Sequence, residues 1–421
     1  MTTDKIRLGI IGCGGIARAR HVTGLTLLKR EGLDTFEVTA VCDTVEENAS
    51  AAAVYLRREQ DASPQVYHAW EELVARAPVD AVDICLPHGL HHVASIAALE
   101  AGLHVIVEKP YTVTVKSGKQ LAEAADRAGG VLATAVPHRR MPGQRAVHWA
   151  INEAKLIGQP RLFFADYTYW RPPPPAGAAR PAPPALSWRR DRMMGGGAGV
   201  IDSGFHFLDT VQYFYGEPEQ VYAELRAFPP EGEPVRGPGI VSERETSAVV
   251  VITFKNGVVG TWCWSSQLPG KETRNCVIYG SEGSIEDTGY SSRFVVYHQF
   301  MNGGEFRGRD GTYLSMEELQ ARHRRALGPE RLQRLFPNGV TDHFAIELWD
   351  FLDAIARGRK PEVDGWGGLA TTGLVEAVYE SAYAGKAVKV ADVLGGAAYH
   401  GWQRDIDDYW AQQPIPKLRR D

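Results

Sequence analysis

Few cysteines, no excess of basic residues and no long apolar run characterise this sequence, and each shortage excludes a class of protein. Only five of the 421 residues are cysteine and none forms a Cys-x-x-Cys pair, so we expect small buried side chains rather than a disulfide framework. A formal net charge of −5 offers no basic surface for nucleic acid. No apolar run could span a bilayer, and the residues before the first strand leave no room for a signal peptide. The sequence therefore predicts a cytoplasmic protein without membrane or nucleic-acid partners.

The length predicts two domains, because 421 residues exceed what one hydrophobic core usually supports. Up to residue 137, apolar strands alternate with helical patterns, which is typical of an α/β fold with a parallel sheet. We expect residues 1–137 to form a doubly wound domain of six strands, the weakest near residues 66–67. Residues 138–421 are expected to form a second α/β domain with a large, mainly antiparallel open sheet.

The first turn carries a glycine pattern that favours dinucleotide binding. An apolar strand over residues 6–11 runs into Gly12-Cys13-Gly14-Gly15-Ile16-Ala17, and a helical pattern follows directly. In G-x-G-x-x-A, the first glycine permits a tight turn and the second lets the backbone approach a pyrophosphate, while the alanine allows close helix packing. The sequence thus predicts a Rossmann domain in which the cofactor phosphates meet Gly12, Gly14, Gly15 and Ile16.

Asp43 follows the second apolar strand and favours NAD over NADP. An acid at this position accepts hydrogen bonds from the hydroxyl groups of the adenosine ribose and repels a 2′-phosphate. The next residues, Thr44-Val45-Glu46-Glu47, supply no arginine or lysine for such a phosphate. The alternative is that Asp43 only caps the helix that follows it.

Glu108-Lys109-Pro110 comes directly after the apolar run at residues 105–107. Ligands of open α/β sheets bind outside the carboxyl ends of the strands, so a lysine there would face a nucleotide held by the glycine turn. The nearby histidines of His88-Gly89-Leu90-His91-His92 have no cysteine or carboxylate at ligand spacing. We expect them to cap a helix or line a cleft, and we expect no metal site.

Sheet signals dominate the middle of the second domain. A long strand is predicted over residues 161–170, a hairpin around Asn256-Gly257, and another between residues 276–279 and 283–286. Trp262 and Trp264 indicate an exposed aromatic sheet face that another subunit covers.

Three further segments have a distinct composition. A proline-rich loop occupies residues 171–187. An insertion over about residues 300–340, preceded by a predicted strand at 294–298, contains an arginine-rich helix or helix pair. The tail at 391–421 carries two tryptophans, Trp402 and Trp410, which indicate that it docks on the protein.

Gly195-Gly196-Gly197 precedes Asp202 and His206, which are four residues apart. If this stretch is helical, both side chains lie on one face, and the glycines allow close approach of a ligand. The alternative is that Asp202 caps the helix and His206 packs in the core.

Together, the order and spacing of these motifs resemble the Gfo/Idh/MocA oxidoreductases, which include glucose–fructose oxidoreductase and inositol dehydrogenase. The resemblance covers residues 7 to about 390 and rests on Gly12-x-Gly14-x-x-Ala17, Pro87-x-x-x-His91, Ala101-Gly102-x-His104-Val105-x-x-Glu108-Lys109-Pro110, and Gly195-Gly196-Gly197 ahead of Asp202-x-Gly204-x-His206. It implies a Rossmann domain followed by an α/β domain with an open mixed sheet. It also implies a bound nicotinamide cofactor, and a homodimer or homotetramer formed through that sheet.

The resemblance places the family's catalytic lysine on Lys109, and its aspartate and histidine on Asp202 and His206. It extends the expected cofactor-binding set to Pro87, His88, His91, Glu108, Lys109 and His138. His88 departs from the asparagine found in many members, and Pro137-His138-Arg139-Arg140 departs from their asparagine-arginine sequence.

The expected chemistry is hydride transfer between NAD and a secondary hydroxyl of a sugar, sugar derivative or cyclitol. His206 suits the role of general base because its ordinary pKa lies near neutrality, and Asp202 would orient it. Lys109 would donate to the same hydroxyl oxygen, and which of the two takes the proton stays open. Expected substrate contacts are Lys109, Trp170, Trp188, Arg189, Asp202 and His206, although the aromatic members could equally be core residues.

Two other functions are compatible with these motifs. One is glycoside cleavage, in which bound NAD oxidises the sugar transiently and is regenerated before the product leaves. The other is a non-catalytic NAD-binding sensor, which the joint presence of Lys109, Asp202 and His206 disfavours.

Overall fold

The computed structural model describes residues 5–170, 184–228, 244–287, 304–396 and 400–420. Most of the proline-rich loop and the strand predicted at 294–298 lie outside these ranges. By the proximity of their Cα atoms, the described residues group into two compact units. The first contains residues 1–140, 328–369 and 409–421, and the second contains residues 141–327 and 370–408.

Strands and helices occur along the whole length of the described chain, and they are numbered in chain order. The strands are β1 (Ile6–Ile11), β2 (Phe36–Cys42), β3 (Gln65–Tyr67), β4 (Ala81–Ile84), β5 (His104–Glu108), β6 (Leu132–Ala135), β7 (Pro160–Thr168), β8 (Pro218–Arg226), β9 (Ser247–Phe254), β10 (Val259–Ser265), β11 (Thr273–Gly280), β12 (Gly283–Asp287), β13 (Glu305–Gly308), β14 (Tyr313–Ser315) and β15 (Val388–Lys389). The α-helices are α1 (Val22–Arg30), α2 (Glu46–Gln60), α3 (Trp70–Arg76), α4 (Leu90–Glu100), α5 (Val115–Ala128), α6 (Pro142–Asn152), α7 (Arg192–Gly195), α8 (Gly199–Asp202), α9 (Gly204–Tyr215), α10 (Met316–Ala326), α11 (Pro329–Leu335), α12 (His343–Arg357), α13 (Gly365–Ala384), α14 (Val390–Gly395) and α15 (Arg404–Ala411). A π-helical turn covers Ala17–His21, and 3₁₀ turns cover His138–Arg140, Pro184–Arg190 and Pro337–Gly339. None of the described helices is long and apolar enough to cross a membrane.

The first unit contains the predicted doubly wound sheet. Its six strands are parallel and follow the order β3-β2-β1-β4-β5-β6. The near-continuous apolar runs that form β1, β4 and β5 are buried on both faces, as helix-covered parallel strands require. The carboxyl ends of all six strands therefore lie along one edge, where such sheets bind their ligands.

The first unit also includes chain segments that the sequence assigned to the second domain. Helix α12 packs on α1, where a Cβ added to Gly24 would lie only 3.2 Å from the Ala345 backbone nitrogen. Near the chain end, Arg420 Nη2 donates to the carbonyl groups of Ala77 and Val79 at 2.8 and 2.9 Å. The compact units thus differ from the division at residue 137, because helical periodicity identifies α12 but not the surface that buries it.

The second unit is built on the expected mixed, largely antiparallel sheet. Its nine strands follow the order β14-β13-β12-β11-β7-β10-β9-β8-β15, in which β7 and β10 are parallel. The predicted hairpin joins β9 to β10 at Gly257, whose φ of +87° suits a tight turn. The hairpin of β11 and β12 is confirmed as well. Of the predicted arginine-rich helix pair, α10 buries Met316 and Leu319, whereas α11 buries no residue.

The structure corrects the prediction that Trp262 and Trp264 are exposed. Their exposed fractions are 2% and 6%, and Trp262 stacks on Phe207 of α9 with ring centroids 5.0 Å apart. The glycines at the starts of α8 and α9 make room for these rings, since a Cβ on Gly199 would lie 2.1 Å from Trp264 and one on Gly204 would lie 2.5 Å from Trp262. The sheet face that is apolar and exposed is the opposite one, which carries Leu162, Phe164, Tyr222, Val249 and Tyr279.

Candidate functional site

The glycine turn after β1 has the shape that a dinucleotide phosphate needs. Gly12 has φ +89°, and a Cβ there would lie 2.4 Å from the Cys85 carbonyl oxygen, so only glycine fits. A Cβ on Gly14 or Gly15 would meet no atom within 4 Å, so this part of the turn presents open backbone. Ala17 is fully buried where the helical turn meets the sheet. The turn therefore forms an open cradle at the carboxyl edge of the sheet, and it fits NAD.

Asp43 lies directly beside this turn. Its Oδ2 accepts a hydrogen bond from the Cys13 backbone nitrogen at 2.8 Å, and its Oδ1 accepts one from the Val45 nitrogen at 2.8 Å. Val45 is the residue before α2, so the carboxylate also fixes the start of that helix. Asp43 therefore binds the backbone on both sides, at Cys13 in the turn and at Val45 before α2, while its contact with the adenosine ribose stays a prediction.

Lys109 follows the last residue of β5, on the same edge of the sheet as the glycine turn. Glu108 is 4% and Lys109 8% exposed, and the Lys109–Pro110 peptide bond is cis. His91 braces this bend, because its Nδ1 lies 2.8 Å from the Pro110 carbonyl oxygen and its Nε2 lies 2.8 Å from that of Leu86. The structure therefore gives both ring nitrogens of His91 backbone partners in the protein, where the resemblance implies a cofactor contact.

The other predicted cofactor histidines are also interior. His88 is 5% exposed and its ring centroid lies 5.8 Å from that of His91. His138, in a 3₁₀ turn after β6, is 1% exposed and 6.1 Å from the ring of His343. His92, which was not a predicted cofactor contact, packs edge-on against Trp410 with ring centroids 5.2 Å apart, and burial lowers the pKa of His92 to about 4.

A buried charged network that the sequence did not predict lies behind Glu108. His21 is fully buried, with Nδ1 2.9 Å from Asp83 Oδ2 and Nε2 3.3 Å from Glu108 Oε1. Burial alone lowers the pKa of His21, but the charge of Asp83 and the hydrogen bond to it outweigh this, and the pKa lies well above its ordinary value. Two acidic neighbours on its two nitrogens match a protonated imidazole, which donates to both.

The group of His21, Asp83 and Cys85 also brings three possible metal-ligand atoms within 4.8 Å of one another. However, both nitrogens of His21 already face carboxylates, and burial raises the pKa of the Cys85 thiol well beyond its ordinary value. A metal ion would have to displace the protons that hold His21 between its two carboxylates. We therefore interpret this cluster as an ionic network that fixes the end of β5.

In the second unit, Asp202 and His206 lie on consecutive helical turns. Asp202 ends α8, His206 is the third residue of α9, and Ser203 between them keeps helical dihedral angles. Residues four apart on helical backbone share a face. His206 is 3% exposed, whereas the Asp202 side chain is partly exposed and pairs with Arg189. The Arg189 guanidinium also lies 4.6 Å from the centre of the Trp188 ring.

Two of the glycines before Asp202 are packed within the protein. A Cβ on Gly197 would lie 2.2 Å from the Tyr379 hydroxyl, and Gly199 is packed against Trp264. At Gly197 and Gly199 the missing side chain therefore allows close packing within the protein, while the approach of a ligand to Gly195 and Gly196 stays a prediction. Trp170, the remaining predicted substrate residue, forms a β-bridge with Gln267 and is 45% exposed.

Comparison with known proteins identifies the family. Residues 6–136 match the model of the GFO/IDH/MocA oxidoreductase family with its NAD-binding Rossmann fold, and residues 149–286 match the GFO/IDH/MocA C-terminal domain. The chain belongs to this family of oxidoreductases, and its first unit contains an NAD-binding Rossmann domain.

Individual relatives agree with this assignment. A levoglucosan dehydrogenase of Pseudarthrobacter phenanthrenivorans is 30% identical over 51% of this chain and 57% of its own length, so the chain spans little more than half of that relative. A myo-inositol 2-dehydrogenase of Thermotoga maritima is 25% identical over 93% of this chain and 100% of its own. The solved structure of levoglucosan dehydrogenase with NADH and levoglucosan has the same fold, with a TM-score of 0.69 at 23% identity, covering 92% of this chain and 99% of that one.

Proposed function

We propose that the protein is an NAD-dependent dehydrogenase that oxidises a secondary hydroxyl of a sugar, sugar derivative or cyclitol. The observation that carries this proposal is the placement of Lys109 at the carboxyl end of β5, on the sheet edge that also carries the open Gly14–Gly15 turn. A cationic donor on this edge can reach a ligand that the turn holds. The substrates named for the relatives, an anhydrosugar and a cyclitol, support this substrate class.

Each proposed catalytic side chain has a separate task. NAD supplies the hydride acceptor when it is bound. Lys109 stabilises negative charge on the hydroxyl oxygen as its proton leaves. His206 accepts that proton, and Asp202 orients the imidazole and stabilises its charged form. Because Asp202 also pairs with Arg189, this arginine sets the position of the carboxylate. Trp188, which lies beneath the Arg189 guanidinium, offers an aromatic face to the C–H side of a sugar.

The test begins with the freshly purified protein. Cofactor released on denaturation is identified by mass spectrometry, and absorbance at 340 nm is followed with NAD across a panel of anhydrosugars, glycosides and cyclitols. Formation of NADH with one of these compounds is the expected result. Product formed from a glycoside without net NADH, in a protein that retains NAD, would instead indicate the internal redox cycle of a glycoside-cleaving enzyme. No turnover with any of them would contradict the proposal.

We expect Asp43 to determine the preference for NAD. Asp43→Ser removes the charge that repels a 2′-phosphate, while its hydroxyl can still accept a hydrogen bond from the turn. The kcat/KM with NAD should fall by about 10- to 100-fold, the value of a hydrogen bond to a charged group, and the NADP-to-NAD ratio should rise by at least as much. Glu46→Gln, an exposed charge change at the start of α2, is the matched control. An unchanged ratio in Asp43→Ser would show that Asp43 only fixes the backbone.

We further propose that the exposed apolar face of the nine-stranded sheet is the contact surface of a homodimer or homotetramer. Val249 on β9 is 52% exposed within this face, and Phe164 contacts Tyr279 there edge-on at 6.1 Å. Val249→Arg should lower the molar mass measured by light scattering to that of a monomer, because a charge would be buried unpaired. Val54→Arg is the matched control, since Val54 is 57% exposed on α2. A monomeric wild type, or an unchanged mass in Val249→Arg, would contradict this assignment.

A further inference from the structure

Tyr379 lies beneath the turn that leads into Asp202, and its hydroxyl uses every hydrogen-bonding position it has. Tyr379 Oη donates to Glu245 Oε1 at 2.8 Å, and it accepts from the backbone nitrogens of Ala198 and Ile201, each at 3.3 Å. A phenolic hydroxyl offers one donor and two acceptor positions, so all three are occupied. One side chain of α13 therefore satisfies two backbone N–H groups around the start of α8.

Glu245 supports the same turn from another part of the chain. Its Oε1 also accepts from the Val200 backbone nitrogen at 2.8 Å, and the side chain is 2% exposed. Burial raises the pKa of Glu245 to about 7, although the hydrogen bonds from Val200 and Tyr379 oppose this rise. Gly197 leaves the necessary space, because any Cβ there would collide with the Tyr379 hydroxyl. Backbone and side chains thus fit together closely from Gly197 to Ile201.

The ring of Tyr379 is in turn covered by a segment near the chain end. Trp402 stacks on it with ring centroids 4.7 Å apart and planes 3° from parallel, and the indole is 2% exposed. Arg192, which begins α7 just before the glycines, donates to the Trp402 carbonyl group, and its guanidinium lies 4.3 Å from the centre of the indole ring. The segment therefore contacts Arg192, which precedes the Gly195–Gly197 turn, and Tyr379, whose hydroxyl binds the backbone that follows it.

Glu380 anchors the backbone of this segment. Its buried carboxylate accepts hydrogen bonds from the N–H groups of Gly401 at 2.8 Å, Trp402 at 3.2 Å and Gln403 at 3.3 Å. Arg192 adds an ion pair with Asp405 at 3.1 Å. Because a buried carboxylate with several N–H donors is costly to disrupt, this segment is a fixed part of the second unit and not a loose end.

We propose that residues 400–408, which we call the C-terminal clamp, hold the turn from Gly195 to Ile201 in one conformation, with Tyr379 and Glu245 as positioning residues for Asp202. This inference rests on the proposed function, because it assigns Asp202 to the substrate site. A turn with three consecutive glycines has many accessible backbone conformations, so it needs external support to present one. A small displacement of a group that orients a catalytic side chain lowers the reaction rate by a large factor.

Two variants test the clamp, with one control. Tyr379→Phe removes only the hydroxyl, and Trp402→Leu removes the stacked ring. Tyr215→Phe is the matched control, because Tyr215 is buried in the same unit and its hydroxyl has no hydrogen-bond partner among the described residues. We expect Tyr379→Phe and Trp402→Leu each to lower kcat by about 10- to 100-fold with little change in NAD affinity, whereas Tyr215→Phe keeps the wild-type kcat.

Hydrogen–deuterium exchange of the full-length protein supplies a readout that needs no turnover. Peptides covering residues 195–206 should exchange about 10-fold faster in Tyr379→Phe and Trp402→Leu than in the wild type or Tyr215→Phe. Tyr379→Phe removes the acceptor of two N–H groups there, and Trp402→Leu removes the ring that holds this acceptor in place. Faster exchange together with lower kcat supports the proposal. Unchanged exchange in these peptides, or faster exchange with unchanged kcat, overturns it. A wild type without turnover would refute the proposed function alone, and the exchange data would still decide whether the clamp holds the turn.

Discussion

Lys109→Ala should lower kcat by about 10²- to 10⁴-fold while NAD affinity changes by less than about 3-fold. Enzymes lose kcat in this range when they lose an electrostatic or proton-transferring group at a reacting oxygen. The cofactor should remain bound, because the open backbone of Gly14 and Gly15 and the carboxylate of Asp43 belong to other strand ends. The measurements are kcat from the initial rate of NADH formation and the dissociation constant of NAD from fluorescence titration.

Two further variants separate chemistry from structure at this position. Lys109→Arg keeps the charge and should retain more activity than Lys109→Ala, although the planar guanidinium does not reproduce the geometry of an ammonium group. Lys116→Ala, an exposed lysine on α5, should leave both kcat and NAD affinity unchanged. Equal losses of turnover and NAD affinity in Lys109→Ala would assign a structural role to this side chain.

The first unit was predictable from the sequence because its signals are local. The apolar runs of β1, β2 and β5 are each followed by the glycine, aspartate or lysine that marks a strand end, and their order fixes the sheet. Such runs are sufficient to predict a buried strand, since strands buried on both faces are apolar throughout. The sequence could not predict that α12 belongs to the first unit. Helical periodicity identifies the apolar face of a helix but not the surface on which that face packs.

Trp262 and Trp264 show what the alternation of apolar and polar residues along a strand cannot predict in the second unit. Alternation places both rings on one face of β10, and this much is correct. It does not say which face the helices cover, and the glycines that decide it, Gly199 and Gly204, lie about 60 residues earlier in the chain. The close contact between a glycine and an indole ring becomes visible only in three dimensions.

The buried polar groups were missed for a related reason. Asp83 stands inside an otherwise apolar strand, and a lone acid in such a run indicates a buried partner. The sequence does not identify that partner as His21, or name Tyr379 as the partner of Glu245, because both pairs join distant segments. A charged residue inside a predicted strand is therefore a candidate for a buried group that holds site residues in position.

His206→Ala should also lower kcat by about 10²- to 10⁴-fold, because it removes the proposed base. Asp202→Asn should lower kcat less, since an amide keeps the shape of the side chain but no longer stabilises a charged imidazole. His148→Ala, a half-buried histidine stacked on Tyr213 in the same unit, is the control and should keep the wild-type kcat. Stopped-flow traces of NADH formation separate the chemical step from product release in all three variants.

The combination of His206→Ala with Asp202→Asn tests how Asp202 acts. If Asp202 works through the imidazole, the double variant should lose no more activity than His206→Ala alone, because the group that Asp202 orients is already absent. Losses that multiply would show that Asp202 acts on the substrate directly, a role that its partial exposure and its pairing with Arg189 would permit. Adding Arg189→Ala distinguishes these two roles of Asp202. If Asp202 acts on the substrate directly, releasing its carboxylate from Arg189 should change the KM for the polyol more than kcat.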